Sequence, residues 1–279
     1  MLKIAPPWTR QPQYAARLKR SHWLYDDLIF VHSGTHGYVY GEPVAPTLDA
    51  PRVPKSGIYG SHLNNSLCFS GDGTNYATYA LPKNNALPLT LSGWAFGINA
   101  NSTDNLVRIT ETGAVAGVEL NRTTLELFEA RARTSANSSN AASSTGTWVS
   151  GAWHHGVAVH VSSVSRIAYF DGGNSGSTTT GRDPGTALNT VEILRLGSPT
   201  ISATALQGVQ LPMVIGRALS AVEVAQLYEE QRQDPWALFE RRRIWVPAST
   251  GATVPTLSAS TYVTGSLTST GWRPQITAS

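Results

Sequence analysis

The chain has 279 residues, a net charge of +3 and only 14% charged residues. This length accommodates one large β domain with extensions, and the small charge excess is not the basic surface of a nucleic-acid-binding protein. The single cysteine, Cys68, cannot pair within the chain. No apolar run approaches the ~18 residues needed to cross a membrane, and residues 1–13 lack the apolar core of a signal peptide.

Residues 1–62 are rich in proline, which removes a backbone donor and fixes φ. The prolines are Pro6, Pro7, Pro12, Pro43, Pro46, Pro51 and Pro54. We therefore expect an extended N-terminal arm. Within this arm, the apolar run from Trp23 to Val31 predicts one strand that joins a sheet edge.

From residue 63 to about 215, apolar and polar residues alternate, and Gly, Asn, Asp or Ser interrupts them every eight to twelve residues. This pattern predicts an antiparallel β sandwich. The predicted strands cover 67–82, 89–98, 107–109, 115–120, 124–130, 157–164 and 166–170. Residues 134–147 are small and polar with nothing to bury, so we expect a flexible loop there.

A short helix follows the last predicted strand of the sandwich. Ser220 can cap its first turn, and Glu223 lies three residues later, as in a capping box. Beyond the helix, an Asp-Pro pair at 234–235 predicts a turn and residues 243–247 predict a last strand. The chain then becomes rich in Ser and Thr. We expect three parts: an arm over 1–62, a sandwich over 63–230 and a C-terminal extension over 231–279.

Four sequence blocks appear in one order: Leu67–Pro82, Leu89–Ile98, Trp148–Gly172 and the GRALS helix at 216–220. In this order they resemble the concanavalin A-like, laminin G-type jelly roll, particularly the copies in structural proteins of tailed bacteriophages. The resemblance implies an all-β jelly-roll sandwich with one short C-terminal helix and extended N- and C-terminal arms. It also implies structural core roles for Trp94, Trp153, His154, Tyr169 and Tyr228.

The candidate catalytic residues do not form a recognisable site. Retaining glycosidases need two carboxyl groups about 5–5.5 Å apart, usually on one face of a strand. Glu126 and Glu129 are three residues apart, so a strand would place them on opposite faces. No serine lies in a G-x-S-x-G elbow. We therefore predict no enzyme activity.

We also predict no cofactor. Laminin G-type modules often carry calcium, and the loop acids Asp72, Asp104 and Asp183 are the ones available to it. None of them lies in a recognisable ligand spacing. The adjacent His154 and His155 would point to opposite faces of a strand, which argues against a shared metal.

Aromatic and basic residues outside the sandwich blocks are candidates for docking on partners, because Trp and Arg dominate interface hot spots. These residues are Trp8, Trp23, Trp236, Phe239, Arg241, Arg242, Arg243, Trp245 and Trp272. The arginine run can equally be a solvated surface segment.

The phage resemblance implies a non-enzymatic virion protein, made in the host bacterial cytoplasm and assembled into the virion. We expect capsid decoration or cementing, with the arms docked on other virion subunits such as major capsid or tail subunits, and a homo-oligomer in the assembly. The alternative is a tail-fibre or tail-associated adhesin that binds a host surface glycan. A glycan-active hydrolase is a third, weaker hypothesis. No nucleic acid or membrane partner is expected.

Overall fold

The computed structural model describes residues 17–33, 37–45, 77–97, 104–193, 206–240, 246–247 and 272–273. In chain order the strands are β1 (Leu28–His32), β2 (Gly37–Val39), β3 (Glu42–Val44), β4 (Ala77–Asn85), β5 (Leu89–Gly97), β6 (Asp104–Thr110), β7 (Gly117–Arg122), β8 (Phe128–Arg133), β9 (Ser139–Ser143), β10 (Trp153–Ser162), β11 (Ser165–Phe170), β12 (Gly173–Thr178), β13 (Leu188–Ile193) and β14 (Leu206–Ile215). Helix α1 spans Ala221–Gln233. This helix is too short to cross a membrane, and no other helix of the described ranges could cross one either.

The strands form two antiparallel sheets. The eight-stranded sheet has the order β12-β11-β10-β5-β14-β1-β2-β3, and the six-stranded sheet has the order β4-β13-β6-β7-β8-β9. One apolar core lies between them, because alternate residues of facing strands point inward. Leu91 of β5, Ala158 of β10 and Val118 of β7 belong to this core and are fully excluded from solvent. The predicted all-β sandwich with one C-terminal helix is confirmed.

A second apolar layer covers the outer face of the eight-stranded sheet. Helix α1 packs there through Val224 and Leu227. The indole Nε1 of Trp94 donates to Gln231 Oε1 at 2.7 Å, and its ring stacks on Tyr228 at a centroid distance of 5.6 Å. The helix is therefore fixed to the sheet by both apolar contact and a buried hydrogen bond.

The segments on either side of this body complete the same layer. Leu18 and Phe239 form an isolated antiparallel bridge. Lys19 N donates to the carbonyl of Leu238 at 2.8 Å, and Glu240 N donates to the carbonyl of Arg17 at 2.7 Å. Residues 17–19 and 238–240 thus pair with each other beside α1.

The predicted capping box opens α1. Glu223 N donates to Ser220 Oγ at 3.3 Å, and Ser220 N donates to Glu223 Oε2 at 2.8 Å. Arg217 bridges Glu223, at 2.8 Å, and Asp27, at 2.6 Å. The guanidinium of Arg217 and the Ser220 backbone lower the pKa of Glu223 to about 2. The helix start is therefore tied to the segment that enters β1.

The predicted core residues of the third sequence block surround the turn after β11. His154 Nδ1 donates to Asp171 Oδ2 at 2.8 Å, while His154 Nε2 accepts from Val149 N at 3.0 Å. His155 N donates to the other oxygen, Asp171 Oδ1, at 2.8 Å. Gly172 has a φ of +74°, and a Cβ there would meet the Tyr228 ring at 2.8 Å. The carboxylate of Asp171 thus fixes the turn to β10.

Burial separates the predicted core residues into two groups. Trp94, Trp153, His154 and Tyr169 are all buried. Tyr228 is only partly buried and packs against the second apolar layer from the helix side.

Two expectations about single segments are wrong. The predicted edge strand begins at Leu28, not Trp23, and it pairs with β14 on one side and β2 on the other. The predicted flexible loop over 134–147 contains strand β9, in which Ala142 is buried. The small side chains of β9 show no alternation of apolar and polar residues in the sequence. Small residues in this segment allow close packing: a Cβ on Gly146, which follows β9, would lie 2.5 Å from the Phe170 ring.

The described C-terminal residues form a separate unit. Here β15 (Val246–Pro247) pairs antiparallel with β16 (Trp272–Arg273). The predicted last strand over 243–247 overlaps β15, and its first three residues lie outside the described ranges.

Two buried histidines should make stability depend on pH. Burial lowers the pKa of His155 to about 4 and that of His160 to about 3, from 6.5 for a free side chain. In the unfolded chain these two histidines therefore bind protons below pH 6.5. In the folded chain they bind protons only at pH 4 or lower. We expect the free energy of unfolding to fall as pH drops from 6.5 to 4, by up to about 1.4 kcal/mol per pH unit for each histidine.

Urea unfolding at pH 7, 5.5 and 4.5 measures this slope. The variant His155→Gln, which can still reach Ser92, should show a slope about half as steep. A wild-type stability that does not change over this range would contradict the expectation.

Candidate functional site

The outer face of the six-stranded sheet is polar. Residues such as Val107, Val118 and Val191 point into the core, so their neighbours along each strand point away from it. Those neighbours that carry a charge or an amide are Asn105, Arg108, Glu119, Asn121, Glu129, Arg131, Arg133 and Glu192. We call this set the polar face.

Arg108 lies at the centre of the polar face. Its cross-strand neighbours are Glu192 on β13 and Glu119 on β7. Arg108 Nε donates to Glu192 Oε2, and Arg108 Nη1 lies 3.6 Å from Glu119 Oε1. The side chains of all three residues are at most 6% exposed. One buried cation therefore holds two buried carboxylates.

Glu119 has two further donors. Arg133 Nε donates to Glu119 Oε1 at 3.1 Å, and Asn121 Nδ2 donates to Glu119 Oε2 at 3.1 Å. Nearer the sheet edge, Arg131 pairs with Glu129 at 2.6 Å. Charges of opposite sign thus alternate across neighbouring strands and neutralise one another.

Two amide groups of the polar face lack a hydrogen-bond partner. Asn105 and Asn121 are cross-strand neighbours, with exposed fractions of 3% and 0%. Within the part of the chain that is described, Asn105 Nδ2 and Asn121 Oδ1 are both buried and unpartnered. One is an unmet donor and the other an unmet acceptor. A hydroxyl group, which both donates and accepts, could satisfy the two together.

The carboxylates of the polar face are not arranged for hydrolysis. Glu119 and Glu192 are both engaged by the guanidinium of Arg108, which lies on the strand between them. Such carboxylates act as structural acceptors, whereas a glycosidase needs one carboxyl group as a proton donor. Of the two glutamates considered from the sequence, Glu126 lies in the β7–β8 turn with a φ of +62°, and Glu129 pairs with Arg131.

Three predicted docking residues are used inside the chain. Trp236 and Phe239 are 5% and 3% exposed and belong to the layer that covers the eight-stranded sheet. Trp23 is partly buried, and its Nε1 donates to Glu230 Oε2 on α1 at 2.9 Å. All three side chains thus pack against their own chain, and their docking on a partner stays a prediction. The sequence alone does not show whether an aromatic residue in a flanking segment packs against its own chain or against a partner.

The other docking candidates are not tested by the structure. Trp8, Arg241, Arg242, Arg243 and Trp245 lie outside the described residues, and Trp272 is described only as part of strand β16. Their docking role stays a prediction.

Of the three calcium candidates, only Asp183 has a described side chain. Asp72 lies outside these ranges, and only the backbone of Asp104 is described. Asp183 accepts from Gly185 N at 3.0 Å. No three His, Cys, Asp or Glu side chains in the described residues could share a metal ion.

No protein-family model matches the sequence, and no curated protein is significantly similar to it. Among solved structures, the chain is similar to the receptor-binding domain of botulinum neurotoxin D, with a TM-score of 0.54 and 11% identity over 75% of this chain and 54% of that one. The botulinum neurotoxin type G receptor-binding domain gives a TM-score of 0.52 and 12% identity over 74% and 51%. A Trypanosoma rangeli sialidase gives 0.48 and 17% over 74% and 33%.

The chain thus spans about half the length of the neurotoxin domains it matches. At these identities the similarity establishes the fold alone. The two-sheet architecture expected from the sequence is that of the jelly-roll β sandwiches.

The Arg108 network should be a strong determinant of stability. Replacing Arg108 with Met would remove the positive charge between Glu119 and Glu192 while both carboxylates stay buried. We expect a loss of about 3–5 kcal/mol in the free energy of unfolding. Arg131→Met removes a partly exposed pair and should cost under about 1 kcal/mol. Urea unfolding of both variants checks this, and equal losses would show that the network is not a buried unit.

Proposed function

We propose that this chain is a non-enzymatic binding module whose polar face recognises a hydroxyl-rich ligand, a glycan. The observation that carries the proposal is the pair of unmet amide groups, Asn105 Nδ2 and Asn121 Oδ1. Burial of such groups without partners costs about 1–3 kcal/mol each. Both atoms are buried, so neighbouring side chains must move aside for a sugar hydroxyl to reach them, and the hydroxyl would then recover this cost on binding.

The charge distribution around this pair supports the same proposal. Arg108 and Arg133 together balance the charges of Glu119 and Glu192, so the centre of the polar face offers little net charge to an ionic ligand. Recognition would then depend on hydrogen bonds, which suits a neutral polar ligand. The fold shared with receptor-binding domains of two neurotoxins is compatible with a binding role.

We further propose that the binding module belongs to a phage virion, as the four sequence blocks imply. Two roles remain in view: capsid decoration through docked flanking segments, and a tail-associated adhesin. The polar face favours the adhesin, because decoration needs no hydroxyl recognition. The basic run Arg241–Arg243 keeps decoration as the second candidate, since arginine is enriched at interface hot spots.

Glycan binding can be tested with the isolated chain. We expect the purified protein to bind bacterial surface polysaccharide or an arrayed glycan, measured by array binding and then by calorimetry. Asn105→Leu removes the unmet donor and should weaken binding by roughly tenfold or more, the equivalent of one hydrogen bond. The folded state should tolerate this change, since no partner of that donor is lost.

The matched control is Asn84→Leu on the exposed part of β4, which should bind like the wild type. Glycan binding that survives Asn105→Leu unchanged would contradict the proposed site. Cleavage of the bound glycan, lost on Glu119→Gln, would instead support a hydrolase.

The virion role has a separate test. Removal of residues 1–16 or of 241–279 leaves both large sheets intact, whereas a cut within β1–β3 would not. If the flanking segments attach the protein, at least one truncation should abolish incorporation into virions, measured by the protein content of purified particles. Unchanged incorporation of both truncated chains would contradict docking through these segments.

A further inference from the structure

Three basic side chains lie near one another at one corner of the sandwich, where β10 and β11 meet. His160 at the end of β10 pairs in register with Arg166 at the start of β11. Arg182 lies in the segment after β12 and is held there because its backbone N donates to the Ser163 carbonyl at 2.7 Å. Arg166 Nη2 donates to the carbonyl of Thr180 in the same segment. We call Arg166, Arg182 and His160 the basic corner.

The hydrogen bonding of the basic corner is incomplete. Arg166 is fully buried and His160 is 1% exposed. Across the described residues, Arg166 Nε and Nη1, Arg182 Nε and His160 Nε2 are buried and have no partner. An arginine guanidinium stays protonated in proteins, so these groups cannot lower the cost of burial by losing a proton. Each unmet charged donor therefore carries a desolvation cost that folding alone does not repay.

The positive charge of the corner is also not offset. Burial and then the positive charge of Arg182 lower the pKa of Arg166. Burial and then the positive charge of Arg166 lower the pKa of His160. None of the ion pairs found in the described ranges includes Arg166 or Arg182. The nearest loop acid, Asp183, is engaged by Gly185 N. Within the described residues, neither arginine has the carboxylate partner that buried arginines normally have. Arg166 donates instead to the Thr180 carbonyl, and Arg182 Nη1 donates to the Gly181 carbonyl at 2.7 Å.

We propose that the basic corner binds a small oxyanion, whose oxygens accept from the unpartnered guanidinium N–H groups of Arg166 and Arg182. The chemistry is that of carboxylate, sulfate or phosphate, each of which matches the forked geometry of arginine. Access is from solvent on the Arg182 side, since Arg182 is partly exposed and Gly181 beside it is exposed.

Anion-dependent unfolding tests this site. Chemical unfolding is followed in phosphate, sulfate and acetate, each against chloride at matched ionic strength. An anion at ten times its Kd should reduce the unfolding equilibrium constant of the wild type roughly tenfold. Stabilisation by acetate as well as phosphate identifies a general oxyanion site, whereas stabilisation by phosphate and sulfate alone identifies a tetrahedral one.

Two variants connect the effect to the corner. Arg166→Met and Arg182→Gln should each abolish the anion-specific stabilisation, and Arg166→Met should be at least as stable as the wild type in chloride because it removes an uncompensated buried charge. Arg182 is only partly buried, so Arg182→Gln keeps the test usable if Arg166→Met does not fold. Arg232→Met, the same loss of charge on exposed α1, should respond like the wild type.

Calorimetry should give one anion per chain for the wild type. Equal anion responses in the wild type and both corner variants would overturn the proposal, because a general salt effect on burial would then explain them. The absence of any anion-specific response in the wild type would overturn it as well.

Discussion

The structure depends on one requirement: the eight-stranded sheet is apolar on both faces, so each face needs its own cover. The six-stranded sheet covers the inner face. The outer face has only a 13-residue helix, and this helix is held by the hydrogen bond from Trp94 to Gln231. The segments at 17–27 and 234–240 supply the rest of the apolar cover. The aromatic residues of these two segments therefore contribute to the fold of their own chain.

This requirement also separates the two outer faces of the sandwich by chemistry. Where the eight-stranded sheet is sealed by Leu227 and Trp236, the six-stranded sheet carries arginines, glutamates and asparagines on its outside. Polar side chains of the described residues are therefore concentrated on the outer face of the six-stranded sheet. The buried ionic network there also fixes the side-chain positions around Asn121. Side chains that are already fixed lose less conformational entropy if a ligand binds.

The sequence predicts those features that depend on neighbours along the chain. The capping box of Ser220 and Glu223 is local and appears as expected. Strand β9 escapes prediction because serine and alanine show no contrast between inward and outward positions. The pairing of Arg108 with Glu119 and Glu192 also escapes, since the two carboxylates come from different strands 73 residues apart in the chain.

The antiparallel bridge between Leu18 and Phe239 has a mechanical consequence. If the protein is held through both flanking segments, tension enters at residues 17 and 240, which lie side by side. Such a load peels the bridge open one backbone bond at a time and then pulls on the helix. The two large sheets would be loaded last, so the domain could yield at its outer layer and recover while its main core stays intact.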